Sequence, residues 1–484
     1  MSQLRPVEVR VPVQPVSRYE RLVDPDRYAR WLEAVHGAVA RLAGRVVWQV
    51  NSTARGGGVA EMMGPLIGSA RGVGADARWL VIAGTPDFFR ITKRLHNLLH
   101  GDPGDGAALG AAERATYDAV LAANAAELAA LVRAGDIVVL HDPQTAGLAP
   151  ALRRAGALVA WRCHIGSEDL GAPLVRRGWD FLAPYLREAH ATVFSRAQYI
   201  PDCCELERAR VIRPSIDPFS AKNQGMSDDA VRAILVGTGL VEGPAGPAAP
   251  SFVGEDGSPR RVDRGADIMR VGRAPSWETP LVVQISRWDR LKDHIGVLEG
   301  FARFEPPDGR DAQLVLAGPS VTGVADDPDG PAVLAEVTAA WRALPHERRR
   351  RVQIAALPMV DTHENAAIVN ALQRHAAVVV QKSLREGFGL TVTEAMWKAR
   401  PVVASAVGGI VEQVEDGRDG LLLQDPGDPD AFAAALGRLL ADPEAAARLG
   451  AAAHERVRRD FLGVRQLADY AELIEDLVSP VGVR

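Results

Sequence analysis

Along the chain, short runs of β-branched and other apolar residues alternate with longer stretches whose apolar positions recur at helical spacing. That rhythm predicts parallel α/β sheets. In the first half the runs place strands at Arg45–Val50, Arg78–Ile82, Asp136–Leu140, Leu158–Arg162 and Thr192–Phe194, each followed by a turn bearing Gly, Pro or His and then a helix. In the second half they fall at Leu281–Ile285, Gln313–Ala317, Val352–Ala355, Ala377–Gln381 and Pro401–Ala404. Two such series predict two Rossmann-like, doubly wound domains facing a central cleft.

The breaks in the pattern set the boundaries. Residues 1–217 are expected as an N-terminal Rossmann-like domain and 218–460 as a C-terminal one, with the hinge near Pro214–Pro218 (PSIDP). Residues 461–484 are expected as a helix that crosses back to the first domain. Val241–Gly272 is rich in Pro, Gly, Glu and Arg, too polar and breaker-dense for a core element, and is expected as a surface insertion.

Composition narrows the classes. With 484 residues, 47% of them hydrophobic, the chain is long enough for two cores. Acidic residues (61) slightly exceed basic ones (56), and no basic stripe suits a phosphate backbone, so no nucleic-acid partner is expected. The first residues lack the apolar core of a signal peptide, and no run reaches the ~18 apolar residues of a membrane span. No membrane partner and a cytoplasmic location follow as expectations, as do reduced thiols for the three cysteines, Cys163, Cys203 and Cys204.

Ligands of open α/β sheets bind beyond the carboxyl ends of strands, so the loops there carry the candidate chemistry. The first strand runs into NSTARGGGVAEM, where Gly57 and Gly58 open a helix whose free amides suit a phosphate or sugar. A glycine cluster at such a turn also serves geometry alone. His141, Asp142 and Gln144 follow one strand, and Arg162 and His164 end the next, polar groups placed to hold sugar hydroxyls or to satisfy one another. After Leu281–Ile285 come Arg287 and Lys292, two cations suited to the charge that develops on a departing diphosphate. Arg290 and Asp293 fit a solvated turn better. The segment KSLREGFGLTVTEAMW, from Lys382, places Glu386 before a glycine turn and Glu394 inside a helix. Its start, Gly387 to Thr391, offers amides to a diphosphate. Thr391 and Glu394 also match a capping box, an alternative with no ligand. Trp397 and Met396 read as core. Asp326 and Asp329 make an acidic cluster without a histidine, expected as a solvated turn, so no metal is predicted.

On these residues the chain resembles the retaining GT-B glycosyltransferases that include sucrose synthases and glycogen synthases: Glu386 and Glu394 with GFGLTVTEAM between, and Arg287 with Lys292 upstream. More narrowly, NSTARGGGVAEM, HDPQ, WRCHI, PSIDPFSAKN and VGGI resemble the trehalose glycosyltransferring synthases along nearly the whole chain. The resemblance implies a retaining transferase making trehalose reversibly from a UDP-, ADP- or GDP-glucose and free glucose. Transfer to a sugar phosphate or a glucan is the alternative, and an epimerase or a sensor without turnover the more distant one.

It further implies donor binding by Gly57, Gly58, Arg287, Lys292, Glu386, Gly387, Phe388, Gly389, Leu390, Thr391 and Glu394, with Glu386 at the sugar hydroxyls and Glu394 at the ribose. His164 would stand beside the donor sugar, so that His164, Glu386, Arg287 and Lys292 form the catalytic set. Glu61, Asp142 and Gln144 are the acceptor candidates, and backbone near Leu357–Met359 a contact for the base. No cofactor is required, and small molecules are the expected partners, with a homodimer as the one assembly considered. Two departures stand out: the length of Val241–Gly272, and Gly166 where an acidic residue is usual.

Overall fold

A computed structural model describes residues 4–54, 57–254, 256–306, 311–321 and 329–479. The chain divides into two compact units, one of residues 1–215 with 461–484 and one of residues 216–460. Asp326 lies outside the described residues, as do Arg55 and Gly56 of the glycine motif.

In the first unit, the strands are β1 (Val7–Val9), β2 (Val47–Asn51), β3 (Ala77–Val81), β4 (Ile137–His141), β5 (Leu158–Arg162), β6 (Ala191–Phe194) and β7 (Ala209–Val211). They form one sheet in the order β1-β3-β2-β4-β5-β6-β7, parallel except for β1, which pairs antiparallel with β3. Every residue of β2 and β4 is buried, as expected where helices cover both faces. Period-2 alternation assigns the side chains to faces: Val138 and Leu140 pack with Trp48, Phe88 and Trp161, and Val139 packs with Met63, Ile67 and Tyr470 on the other side. The helix Gly463–Val478 belongs to this second layer, closing against the helix Pro25–Leu42.

The second unit begins with a short antiparallel pair, β8 (Ser251–Val253) and β9 (Pro259–Arg261). Its sheet uses β10 (Asp267–Met269), β11 (Leu281–Ile285), β12 (Gln313–Pro319), β13 (Val352–Leu357), β14 (Val378–Gln381), β15 (Val402–Ser405) and β16 (Leu421–Leu423), in the order β10-β13-β12-β11-β14-β15-β16. Only β10 runs antiparallel. The segment expected as a mere surface insertion therefore contributes an edge strand and buries Val241, Phe252 and Val262. Its few apolar residues are spaced to dock while the breakers between them turn outward, which average composition conceals.

All ten predicted strands are present within two or three residues of their expected ends. Those without a prediction, β1, β7, β10 and β16 among them, are three-residue edge strands too short for a period to register.

The candidate donor and acceptor sites

Each sheet reverses its winding direction at one place: between β2 and β4 in the first unit and between β11 and β14 in the second. Loops on either side of such a switch point diverge, leaving a crevice at the carboxyl ends of the strands. The residues singled out by chemistry lie at both.

At the second unit's switch point, β11 leads to Ser286, Arg287 and the turn Arg290–Lys292, while β14 leads to Lys382 and Glu386. Lys292 Nζ lies 2.6 Å from Glu386 Oε2, which also accepts from Ser383 Oγ at 3.2 Å. The lysine's own backbone is fixed, its carbonyl accepting from Gln284 Nε2 at 2.8 Å and the neighbouring Leu291 carbonyl from Leu384 N at 2.8 Å. Arg287 is half-exposed and stands 3.9 Å from Asp289.

Asp293 corrects an expectation. It is no solvated turn residue: it caps the helix His294–Arg303 through Gly296 N and pairs with the buried Lys382. Sequence reasoning passed over Lys382 because nothing in spacing shows that its partner sits 89 positions away. Arg290 does pair at the surface, with Glu336. Beside them His294 Nε2 meets Ser286 Oγ at 3.1 Å, and burial pushes the imidazole down to about 4, so it is neutral near pH 7.

The glycine turn is built to a tight tolerance. Gly389 caps the helix Leu390–Trp397 at φ 86°, where a side chain is strained, and a Cβ there would lie 3.1 Å from Glu386 Cγ. Since the cap is Gly389 and no side chain caps this helix, the Thr391–Glu394 capping box does not form, and the helix opens on the amides of Leu390 and Thr391. The VGGI segment clamps the turn: Gly409 N donates to Gly387 O at 3.1 Å, and Gln413 Nε2 donates to Phe388 O.

Glu394 is buried one turn further on, 3.7 Å from Lys222 Nζ. Lys398 Nζ, also buried, donates to the Glu394 carbonyl at 3.1 Å and to Asn223 Oδ1 at 3.0 Å, and burial pushes its ammonium down to about 7. Met396 is core as expected, while Trp397 donates to Asn223 O and stacks on His454.

At the first unit's switch point two neutral rings meet a guanidinium. The rings of His141 and His164 lie nearly coplanar, 14° apart, with Nδ1 of the first 2.9 Å from Nε2 of the second. Gln49 Oε1 on β2 lies 2.7 Å from His141 Nε2, and Arg162 Nε donates to His164 Nε2 at 3.2 Å. Burial, then the field of Arg162, pushes His141 down to about 3 and His164 well below the usual histidine range, so both rings are uncharged near neutrality. Asp142 sits at φ 62°, a left-handed conformation held by the turn, and its Oδ1 accepts from His164 N at 2.8 Å. Burial pushes its carboxyl up to about 7 despite that bond.

Gln144 is half-buried in the same turn, Gly57 and Gly58 open the helix that follows β2, and Glu61 lies exposed on that helix. Sequence reasoning missed Gln49, whose only signal is a polar residue inside an otherwise apolar strand. Gly166 has a physical reason to lack a side chain, since a Cβ there would meet the Tyr199 ring at 2.2 Å.

Comparisons with known proteins agree with this division. Residues 49–201 match the family "Trehalose synthase, N-terminal domain", and residues 270–456 match "Glycosyl transferases group 1". The chain is 35% identical to the trehalose synthase of Rubrobacter xylanophilus over 92% of its own length and 94% of the relative's. It is 33% identical to that of Pyrococcus horikoshii, over 90% and 91%. Among solved structures, a UDP-forming α,α-trehalose-phosphate synthase from Burkholderia vietnamiensis superposes with a TM-score of 0.65 at 17% identity, covering 91% of this chain and 98% of that one. The fold is GT-B.

Proposed function

Because the chain belongs to the trehalose synthase family of glycosyltransferases, we propose that it moves glucose from a nucleoside-diphosphate glucose to free glucose, reversibly and with retention, forming α,α-trehalose. The observation that carries this reading is the Lys292–Glu386 contact at the second unit's switch point. A cation suited to a diphosphate and a carboxylate suited to sugar hydroxyls stand side by side there, as the two ends of a sugar-phosphate linkage require.

In the reaction, the bond from the donor's anomeric carbon to the diphosphate oxygen breaks and one from that carbon to the acceptor's anomeric oxygen forms. The acceptor's proton passes to the departing diphosphate, whose oxygen lies on the same face. Arg287 and Lys292 take up the charge that develops on the leaving group, joined by the open amides at Leu390 and Thr391. Glu386 holds donor hydroxyls through the oxygen positions that Lys292 and Ser383 also address. Glu394 binds the ribose, Gly57 and Gly58 approach the donor, and Glu61, Asp142 and Gln144 serve the acceptor. His164 stands beside the donor sugar. In this reading the side chains and amides named here carry the whole transfer, and no role is assigned to a cofactor.

The test is product analysis. Purified protein is incubated with glucose and UDP-, ADP- or GDP-glucose, beside a Glu386→Ala control. Trehalose that vanishes in the control is the expected outcome. Nucleotide release with a sugar phosphate or glucan as the only effective acceptor sinks the free-glucose assignment, and a stable glycosyl adduct on Glu386 sinks same-face attack.

A further inference from the structure

Arg162 poses a question the transfer reaction leaves open. It is fully buried at the end of β5, and among the described residues no carboxylate pairs with it. A buried charge without a counter-ion is costly, so it persists only where all three of its nitrogens are hydrogen-bonded. Here they are: Nη1 donates to Tyr470 Oη at 3.0 Å, Nη2 to the Ile212 carbonyl at 3.0 Å, and Nε to His164 Nε2 at 3.2 Å. Tyr470 belongs to the helix Gly463–Val478, so three segments far apart in the chain converge on this one guanidinium.

From these contacts we infer that Arg162, braced by Tyr470, and His141, braced by Gln49, are positioning residues that hold His164 in the tautomer protonated on Nδ1. A guanidinium is a permanent donor and has no lone pair to offer. Its Nε–H points at His164 Nε2, so that nitrogen must present its lone pair, and the neutral ring carries its proton on Nδ1. His141 Nδ1, 2.9 Å from the same lone pair and nearly in the ring plane, then donates to it as well. The atom of Gln49 that lies 2.7 Å from His141 Nε2 is Oε1; a bare Nε2 on His141 therefore requires the Gln49 amide turned through 180°, so that its NH2 donates there.

The opposite arrangement sets a proton on His164 Nε2 directly against the Arg162 Nε–H inside the core. His164 Nδ1 is left as a buried donor with no acceptor among the described residues.

The inference rests on the proposed place of His164 beside the donor sugar, but its first test does not. The full-length protein, labelled with 15N in its histidines, gives ring-nitrogen shifts that distinguish protonated from bare nitrogens, with His164→Gln assigning the signal. The expected result is a bare Nε2 and a protonated Nδ1 from pH 5.5 to 8. A protonated Nε2, or averaging between the two forms, overturns the inference.

The second test is Tyr470→Phe, which frees one fork of Arg162. The His164 signals should then average between tautomers, and kcat should fall about tenfold while both KM values stay within about twofold, as when a partner orienting a functional histidine is lost. An unchanged kcat, in a protein whose His164→Ala form has lost about 10² in kcat, overturns the positioning role. His141→Asn is the second variant should Tyr470→Phe fail to fold. A His164→Ala form with unchanged kcat would instead strike the assignment of His164 to the sugar, leaving the tautomer to be decided by the spectra.

Discussion

The two switch points are built from different chemistry, and under the proposed function they meet different recognition problems. In the second unit the strand-end residues are charged and already paired, Lys292 with Glu386, Lys382 with Asp293 and Glu394 with Lys222. In the first unit the equivalent place is held by two uncharged imidazoles and an amide, with Arg162 turned inward to brace them. A diphosphate demands counter-charge, and ion pairs keep that charge in place until it arrives. A sugar presents only hydroxyls, which neutral donors and acceptors match at smaller desolvation cost.

The largest effect should come from breaking the charged side. Lys292→Met removes a cation from the developing negative charge and leaves Glu386 without its close partner. Product formation should fall by roughly 10³ in kcat. Steady-state rates with saturating donor check this; a loss confined to KM would show that Lys292 only binds.

Next comes the neutral side. His164→Ala should cost about 10² in kcat, since a positioned hydrogen-bond donor contributes less than a charge on the leaving group. If the rate measurements reverse the order of these two variants, the division of labour between the units is wrong.

The contrast also explains which parts were legible in the sequence. Glu386, Glu394, Arg287 and Lys292 sit within two short segments, where spacing and glycines announce a strand-end turn, and the ten main strands announce themselves by unbroken apolar runs. The Gln49–His141–His164–Arg162–Tyr470 network is gathered from four segments spread over more than 400 positions, and no local pattern reports which polar residue in a buried strand meets which. Asp293 was misjudged for the same reason, its partner Lys382 being remote. Edge strands such as β10 escape because three residues carry no period.

A smaller effect is set by pH. Burial raises the Asp142 carboxyl to about 7, so the side chain charges only above that value, whereas both histidines stay neutral through the ordinary range. If its carboxylate accepts from an acceptor hydroxyl, kcat/KM for glucose should rise up to tenfold per pH unit below about 7 and level off above it. In Asp142→Asn that inflection should vanish, and none should appear near the usual histidine value. An inflection that survives the substitution assigns the titration to a group other than Asp142.

The smallest effect concerns the exception within the charged unit. Lys398 is buried against Asn223 and the Glu394 carbonyl, and burial pushes its ammonium from its usual value down to about 7. A lysine with a depressed pKa binds fewer protons folded than unfolded between pH 7 and about 10.4. Stability should therefore rise across that window, and the gain should disappear as pH falls through 7.

The slope is at most about 1.4 kcal/mol per pH unit, which over one unit moves the melting temperature of a body this size by roughly 2–4 °C. Glu394 acts in the opposite sense, since its charge favours the ammonium. Melting curves from pH 7 to 9 on the native protein and on Lys398→Met resolve the two. A native slope that flattens in the variant shows that desolvation prevails over the glutamate's field. Equal slopes would mean that Lys398 stays charged, held by Glu394, and that the second unit keeps this buried cation paired as well.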